Sequence, residues 1–258
     1  MTRALLLRFK VTFRFDGNLI LPIHYNSLLQ AFIYSNIKDK SLQTHYHEKG
    51  FQAGNKKFKL FTFSRITGNF IIDGAKGIIQ FTSPVSLTIS SVEDAFLSAF
   101  LEEVVVSKNL YLNGKKIEVE NFESVIPKWF STDVQIEMLS PITVYKTEFT
   151  GGKKYMRYFS PWENDFGKLV SSNLMEKYNV VNSSKIFGTQ CISLTPMFDE
   201  DLRFQKVIKF KTTVIKGWMG TFRLQGQIEL IKQAYYAGLG AKNSEGFGCF
   251  KIFGSGEH

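Results

Sequence analysis

Cysteine is scarce: Cys191 and Cys249 are the only two in 258 residues. Two cysteines make no disulfide framework and this pair has no zinc-type spacing, so a stapled secreted scaffold is excluded and a reducing, cytoplasmic setting is expected. Histidine is also sparse, with four in the chain. His45 and His47 form a His-x-His pair with no third ligand nearby, and His24 has no partner, so neither a metal nor a cofactor is expected. No apolar run reaches the length of a membrane span, and charges interrupt the short apolar start Met1–Lys10, so a signal peptide and a membrane partner are not expected. The glycines fit neither a dinucleotide fingerprint, which follows a strand and opens a helix, nor a P-loop, which ends in Gly-Lys-Ser/Thr. Acidic residues are the minority, 23 Asp and Glu against 32 Lys and Arg, for a net charge of +9.

What is present is a large apolar core and a positive surface. Hydrophobic residues make up 44% of the chain and phenylalanine alone supplies 25, enough for one large domain or two small ones. The positive excess points to a polyanionic partner, nucleic acid first and an anionic membrane second. Ala4 to Phe15 alternates like a strand. A helix is expected over Ser27–Lys38, with Asn26 as its cap and Leu28, Leu29, Phe32 and Ile33 on its apolar face. A short helical piece follows at Leu42–Glu48. Strands are expected over Phe58–Ile66, Asn69–Asp73 and Gly77–Thr82, then a helix over Val92–Val105. A hairpin over Leu110–Phe122 turns at Asn113-Gly114. That order is strand, helix, strand, strand, helix, strand, as in a ferredoxin-like βαββαβ domain.

Pro127 marks a linker, and the rest reads as a looser copy. It has a strand from Val134 to Tyr145 broken at Ser140-Pro141, a Gly151-Gly152 turn, a basic strand Lys153–Phe159 and a helix from Asn164 or Asp165 to Tyr178. Val181–Thr195 has no clear pattern. A strand pair, Phe204–Ile215 and Thr221–Gln225, is expected around Lys216-Gly217-Trp218, followed by a helix over Ile228–Ala237 and a last strand over Phe247–Phe253. The fold class is therefore α+β: two tandem ferredoxin-like (RRM-like) βαββαβ domains, residues 1–126 and 127–258, with a C-terminal glycine-rich loop.

That loop, Gly238 to Gly248, sets two Gly-hydrophobic-Gly clamps (Gly238, Gly240; Gly246, Gly248) around five residues that include Lys242. Glycines let backbone approach backbone and permit positive φ, and successive N–H groups in such a turn can cradle a phosphate. From the residues alone, the bland reading is a helix stop followed by a turn. The basic strands carrying Lys153, Lys154 and Arg157, then Lys206, Lys209 and Lys211, then Arg223, are solvated faces or a track for an RNA backbone. Trp129, Trp162 and Trp218 are core residues or, where exposed, platforms for bases. Tyr34 reads as a tyrosine at the rim of an apolar helix, and His47 as a surface histidine.

A ferredoxin-like pair ending in this doubled glycine motif resembles the repeat-associated mysterious protein (RAMP) superfamily of CRISPR systems. Within it the chain is similar to the endoribonucleases that cut precursor CRISPR RNA. The segments Leu29–Lys38, Thr44–Glu48, Lys59–Ser64 and Leu139–Ile142 carry the same resemblance over essentially the whole chain. It implies CRISPR repeat RNA as partner, homodimers and association with a CRISPR effector complex among the further partners, and an active site of Tyr34, His47 and Lys59. The stretch between His47 and Lys59 is longer than in the family, so Lys56 and Lys57 stand as alternatives to Lys59. The implied chemistry is metal-independent attack by the RNA's own 2′-OH. His47 would be general acid or base, Tyr34 would orient or deprotonate the 2′-OH, and Lys59 would stabilise the phosphorane. The glycine loop and the basic strands would hold the RNA. The alternative is a non-catalytic RNA-binding subunit of an effector complex. A third reading is a scaffold whose charge aids solubility only.

Overall fold

The computed structural model describes residues 7–54 (His47 by its backbone only), 56–127, 129–188 and 191–254. The first half runs β1 (Arg8–Arg14), β2 (Asn18–Pro22), α1 (Asn26–Ser35), α2 (Lys40–Thr44), β3 (Phe51–Ala53), β4 (Lys56–Phe58), β5 (Phe61–Phe63), β6 (Phe70–Asp73), β7 (Ile78–Thr82), β8 (Val85–Ser91), α3 (Asp94–Val106), β9 (Leu110–Leu112) and β10 (Lys115–Ser124). Alternation in β1 turns Phe9, Val11 and Phe13 inward, where Phe32 of α1 and Phe100 of α3 meet them. The sheet order β5-β8-β1-β10, antiparallel throughout, is that of a ferredoxin-like fold, with β9 added at the edge.

Several expectations shift. The start of the expected first strand, Ala4–Leu6, lies outside the described residues. The third strand of the main sheet is β8, whose alternating Val85, Leu87 and Ile89 are buried; the strands at 70–73 and 78–82 instead form a separate three-stranded sheet in which β7 pairs with both β2 and β6. The expected strand over Phe58–Ile66 is broken at Leu60, which takes φ +51 and separates β4 from β5. The short helical piece is α2 followed by a π-helical turn, His45–Lys49. Asn26 is not the cap of α1 but its first residue, and its amide nitrogen donates to the other half of the chain.

The second half runs β11 (Asp133–Met138), β12 (Tyr145–Thr150), β13 (Lys153–Tyr158), α4 (Asn164–Val181), β14 (Ile192–Pro196), β15 (Gln205–Phe210), β16 (Thr213–Trp218), β17 (Thr221–Gly226), α5 (Ile228–Ala237) and β18 (Phe250–Ile252). The order β14-β17-β11-β18 repeats the first sheet's topology, and the unpatterned stretch supplies its second strand, β14. Two hairpins are inserted. β12–β13 turns at Gly151-Gly152, as the sequence predicts. β15–β16 turns next to Lys211, a non-glycine residue at φ +53, so Lys216–Trp218 lies inside β16 rather than in a turn, and β17 pairs with β11 and β14.

Each half has its own apolar cluster. Polar side chains join them. Arg8 of β1 is buried and donates to the carbonyls of Tyr235 (3.1 Å) and Phe250 (2.6 Å), with its guanidinium 4.1 Å from the centre of the Tyr235 ring. Thr62 donates to the Phe247 carbonyl at 2.9 Å. On α1, Asn26 donates to the carbonyls of Glu245 and Gly246 and Gln30 to that of Ser244. The glycine loop of one half is thus seated on the first helix of the other. Among the described residues, no helix is long and apolar enough to cross a membrane.

Candidate active site

Tyr34 sits in the last turn of α1, one turn beyond Gln30, and is 7% exposed. Its hydroxyl donates to the carbonyl of Tyr46 at 3.1 Å, and its ring meets Phe61 edge-on. Tyr46 is itself buried, packs against Phe96 at 4.3 Å, and donates a short hydrogen bond to Glu93. The residue before His47 is therefore fixed through both its backbone and its side chain. A π-helical turn widens the backbone there, and such turns recur at functional sites. The side chain of His47 lies outside the described residues. Burial, and next the negative charge of Glu245, push the Tyr34 phenol's pKa well above its usual value. Tyr34 is thereby kept as a protonated donor.

Lys59 follows β4 and lines a cleft of about 640 Å³ between the two halves. Its Nζ is buried and, among the described residues, has no hydrogen-bond partner. Burial, then the positive charge of Lys57, lower its pKa, while Glu48 acts in the opposite direction. A buried ammonium with no hydrogen-bonded counter-ion is costly, and a phosphate entering the cleft would supply one. The two alternatives differ from it. Lys56 is exposed and pairs with Glu176 of α4 at 2.7 Å, and Lys57 is exposed.

Across the cleft stands the glycine loop. Gly238, Gly240, Gly246 and Gly248 are all buried. A Cβ on Gly248 would lie 2.0 Å from the Leu239 carbonyl oxygen, one on Gly240 2.5 Å from that of Thr143, and one on Gly246 2.6 Å from the Phe63 ring. A Cβ on Gly238 would meet the Asn243 amide at 2.6 Å. The missing side chains make room for protein atoms, so the part of the loop that a ligand can touch is Ala241–Glu245. Lys242 takes φ +59; its ammonium pairs with Glu245 at 3.3 Å and lies 5.6 Å from the Tyr145 ring centre.

Three residues lining the cleft are absent from the sequence reading. Glu245 is the only acid among the lining residues, and Tyr145 carries the lining onto the β12–β13 hairpin. Lys177 of α4 is buried, and its Nζ donates to the carbonyls of Gly238 (2.9 Å) and Gly240 (2.6 Å) and to Oδ1 of Asn243 (2.5 Å). Burial lowers its pKa to about 7, against the opposite pull of Glu176. A signal for it exists in the sequence. Phe166, Val170, Leu174 and Lys177 share one helical stripe, so a lysine stands where an apolar residue is due.

The cleft lining unites Lys59 with Lys242, and the Glu245 charge reaches Tyr34. Lys56 and Lys57 also line the cleft, whereas the basic candidates on the strands of the second half lie outside. On the β12–β13 hairpin, Lys154 pairs across from Phe149, while Arg157 is tied to Glu163 at 2.7 Å. Lys153 is exposed at the hairpin's tip. Lys209 is exposed on the β15–β16 hairpin, with Lys211 at its turn. Arg223 is held by Asp133 through two nitrogens, at 3.0 and 2.5 Å. Among the described residues, no group of three or more His, Cys, Asp or Glu is arranged to hold a metal ion.

Two linked ferredoxin-like sheets, with a lysine-lined cleft between them and a glycine loop closing it, define the class of α+β protein. Residues 104–252 match the family model described as CRISPR associated protein Cas6, C-terminal, and this chain belongs to that family. It is similar to the CRISPR-associated endoribonuclease Cas6 of Pyrococcus furiosus, 27% identical with 91% of this chain and 84% of that protein covered. It is also similar to a putative CRISPR-associated endoribonuclease-like protein, Cas6nc, of Pyrococcus horikoshii, 29% identical over 91% of this chain and 94% of that one. The fold is shared with the product of a Cas6-related gene from Pyrococcus furiosus (TM-score 0.82, 22% identity, 96% and 98% covered). A RAMP protein binding different RNA substrates shares it too (TM-score 0.80, 23% identity, 96% and 99% covered).

Proposed function

We propose that this chain is a metal-independent endoribonuclease that cuts precursor CRISPR RNA within its repeats. The observation that carries the reading is the cleft in which a buried Lys59 ammonium, without a hydrogen-bond partner among the described residues, faces Lys242 of the glycine loop. Family membership and relatives named as endoribonucleases support the same reaction class. The catalytic residues belong to the first domain, 1–126, and the second, 127–258, contributes the loop and the basic hairpins that hold the RNA.

In this mechanism the 2′-OH beside the scissile phosphate loses its proton and attacks phosphorus in line. The P–O5′ bond breaks and the departing oxygen takes a proton, leaving a 2′,3′-cyclic phosphate and a 5′-OH. His47 is the proton carrier, since histidine titrates near neutrality. Lys59 balances the negative charge of the phosphorane. Tyr34 acts as a donor that orients, because its hydroxyl is bonded to the Tyr46 carbonyl and its pKa is raised. The test is incubation of labelled precursor repeat RNA with the protein in EDTA, beside His47→Ala, with the product ends mapped. One EDTA-resistant cut with a cyclic phosphate end, lost in the variant, is the expected result. A cut that survives His47→Ala would overturn the active site. Tight binding without any cut would overturn the enzymatic reading in favour of a non-catalytic RNA-binding subunit.

A further inference from the structure

We infer that Lys177 is a positioning residue for RNA binding: from beneath the glycine loop it fixes the conformation in which Lys242 faces the cleft. The inference rests on the RNA-binding reading of that cleft. Lys177 touches the cleft wall but is only 2% exposed, and its Nζ is spent on the loop, so it offers a ligand little surface of its own. Packing alone would be served by an apolar residue at this position of the α4 stripe. What an apolar residue lacks is donors. Up to about pH 7 the amine keeps its proton and has three, and three loop acceptors meet them: the carbonyls of Gly238 and Gly240 and the side-chain oxygen of Asn243. These acceptors flank and interrupt the segment Ala241–Glu245 that a ligand can touch.

Asn243 extends the grip. Its amide nitrogen donates to the carbonyls of Leu239 (2.9 Å) and Phe247 (3.0 Å), so one lysine and one asparagine tie both clamps of the loop together. Held between them is Lys242 at φ +59, a conformation that non-glycine residues seldom adopt and that persists only where the surroundings impose it. Without the Lys177 donors, two backbone carbonyls are left buried and unpaired, and the loop gains by rearranging toward water. Lys242 then leaves its place above Tyr145.

The experiment compares Lys177→Met and Asn243→Leu with the parent in three measurements. Affinity for labelled precursor repeat RNA, read in a His47→Ala background so that nothing is cut, should fall roughly tenfold in either variant. Adding Lys242→Ala to Lys177→Met should weaken binding no further, because the first change has already displaced that ammonium. Single-turnover cleavage at saturating RNA should fall by a smaller factor than affinity does, splitting binding from chemistry. Hydrogen exchange without RNA should show faster exchange in 238–248 than in the parent, while the β1 and β11 amides stay protected. Additive losses in the double variant, or parental affinity in Lys177→Met, would overturn the inference. If Lys177→Met fails to fold, Asn243→Leu is held to the same outcomes. A parent that binds no repeat RNA would defeat the functional reading instead, and unchanged loop exchange in both variants would still defeat this one.

Discussion

A phenol that donates to a backbone carbonyl inside a dry pocket has little reason to release its proton near neutrality. Tyr34 is in that position, with Glu245 adding a charge that opposes ionisation. Tyr34→Phe should therefore slow cleavage about tenfold, by loosening the His47 turn, without changing the shape of the pH–rate profile between pH 5 and 9. Disappearance of one limb of that profile in single-turnover assays would assign Tyr34 an ionising role. Lys59 is a different case, because among the described residues its ammonium has no hydrogen-bond partner to lose. Lys59→Met should lower the single-turnover rate by roughly 10²–10³, the usual cost of removing one stabiliser of transition-state charge. Lys56→Ala and Lys57→Ala should each cost less than about threefold by the same assay; a larger loss in either would move the role to that lysine. The sequence singled out Tyr34 and Lys59 through flanking segments of family type. It gave no hint that Tyr34 is held by Tyr46, a contact set by tertiary packing.

At the scale of elements, legibility followed local pattern. The Asn113-Gly114 and Gly151-Gly152 turns are readable because glycine and asparagine tolerate positive φ. The turn at Lys211 and the break at Leu60 are not, since both place positive φ on residues whose chemistry does not announce it. The alternation in Val85–Ser91 is readable, and it marks β8, which takes the place in the first sheet expected of the strands at 69–73 and 77–82. The glycine loop is the instructive middle case. Its motif was plain in the sequence, yet what its glycines do is visible only in the packed structure. Gly248→Ala tests that role. Its Cβ would fall 2.0 Å from the Leu239 carbonyl oxygen at φ +78, so backbone must shift. The change should destabilise the protein by about 3 kcal/mol, read as a lower urea midpoint. A loss of RNA affinity with undiminished stability would return Gly248 to direct contact with the ligand.

For the whole molecule, the buried titratable groups predict a stability curve with two limbs. Lys177 has its pKa lowered from 10.5 to about 7, so between those values the unfolded chain holds a proton that the folded chain has released. Stability must then rise with pH across that window. Tyr34, Tyr46 and Tyr158 are shifted upward, Tyr158 to about 12, mainly by burial. Above pH 10 the unfolded chain has lost phenolic protons that the folded one retains, and stability must fall as pH rises further. Urea midpoints measured from pH 7 to 11.5 should therefore climb, pass a maximum near pH 10 and drop. Lys177→Met should flatten the climb and leave the drop. Tyr46→Phe should make the drop shallower and leave the climb, because its phenol, bonded to Glu93 behind the His47 turn, is buried in the first core and remote in cause from the loop lysine. A wild-type curve that falls steadily from pH 7 would mean that Lys177 keeps its proton throughout, its three loop acceptors outweighing the cost of burial.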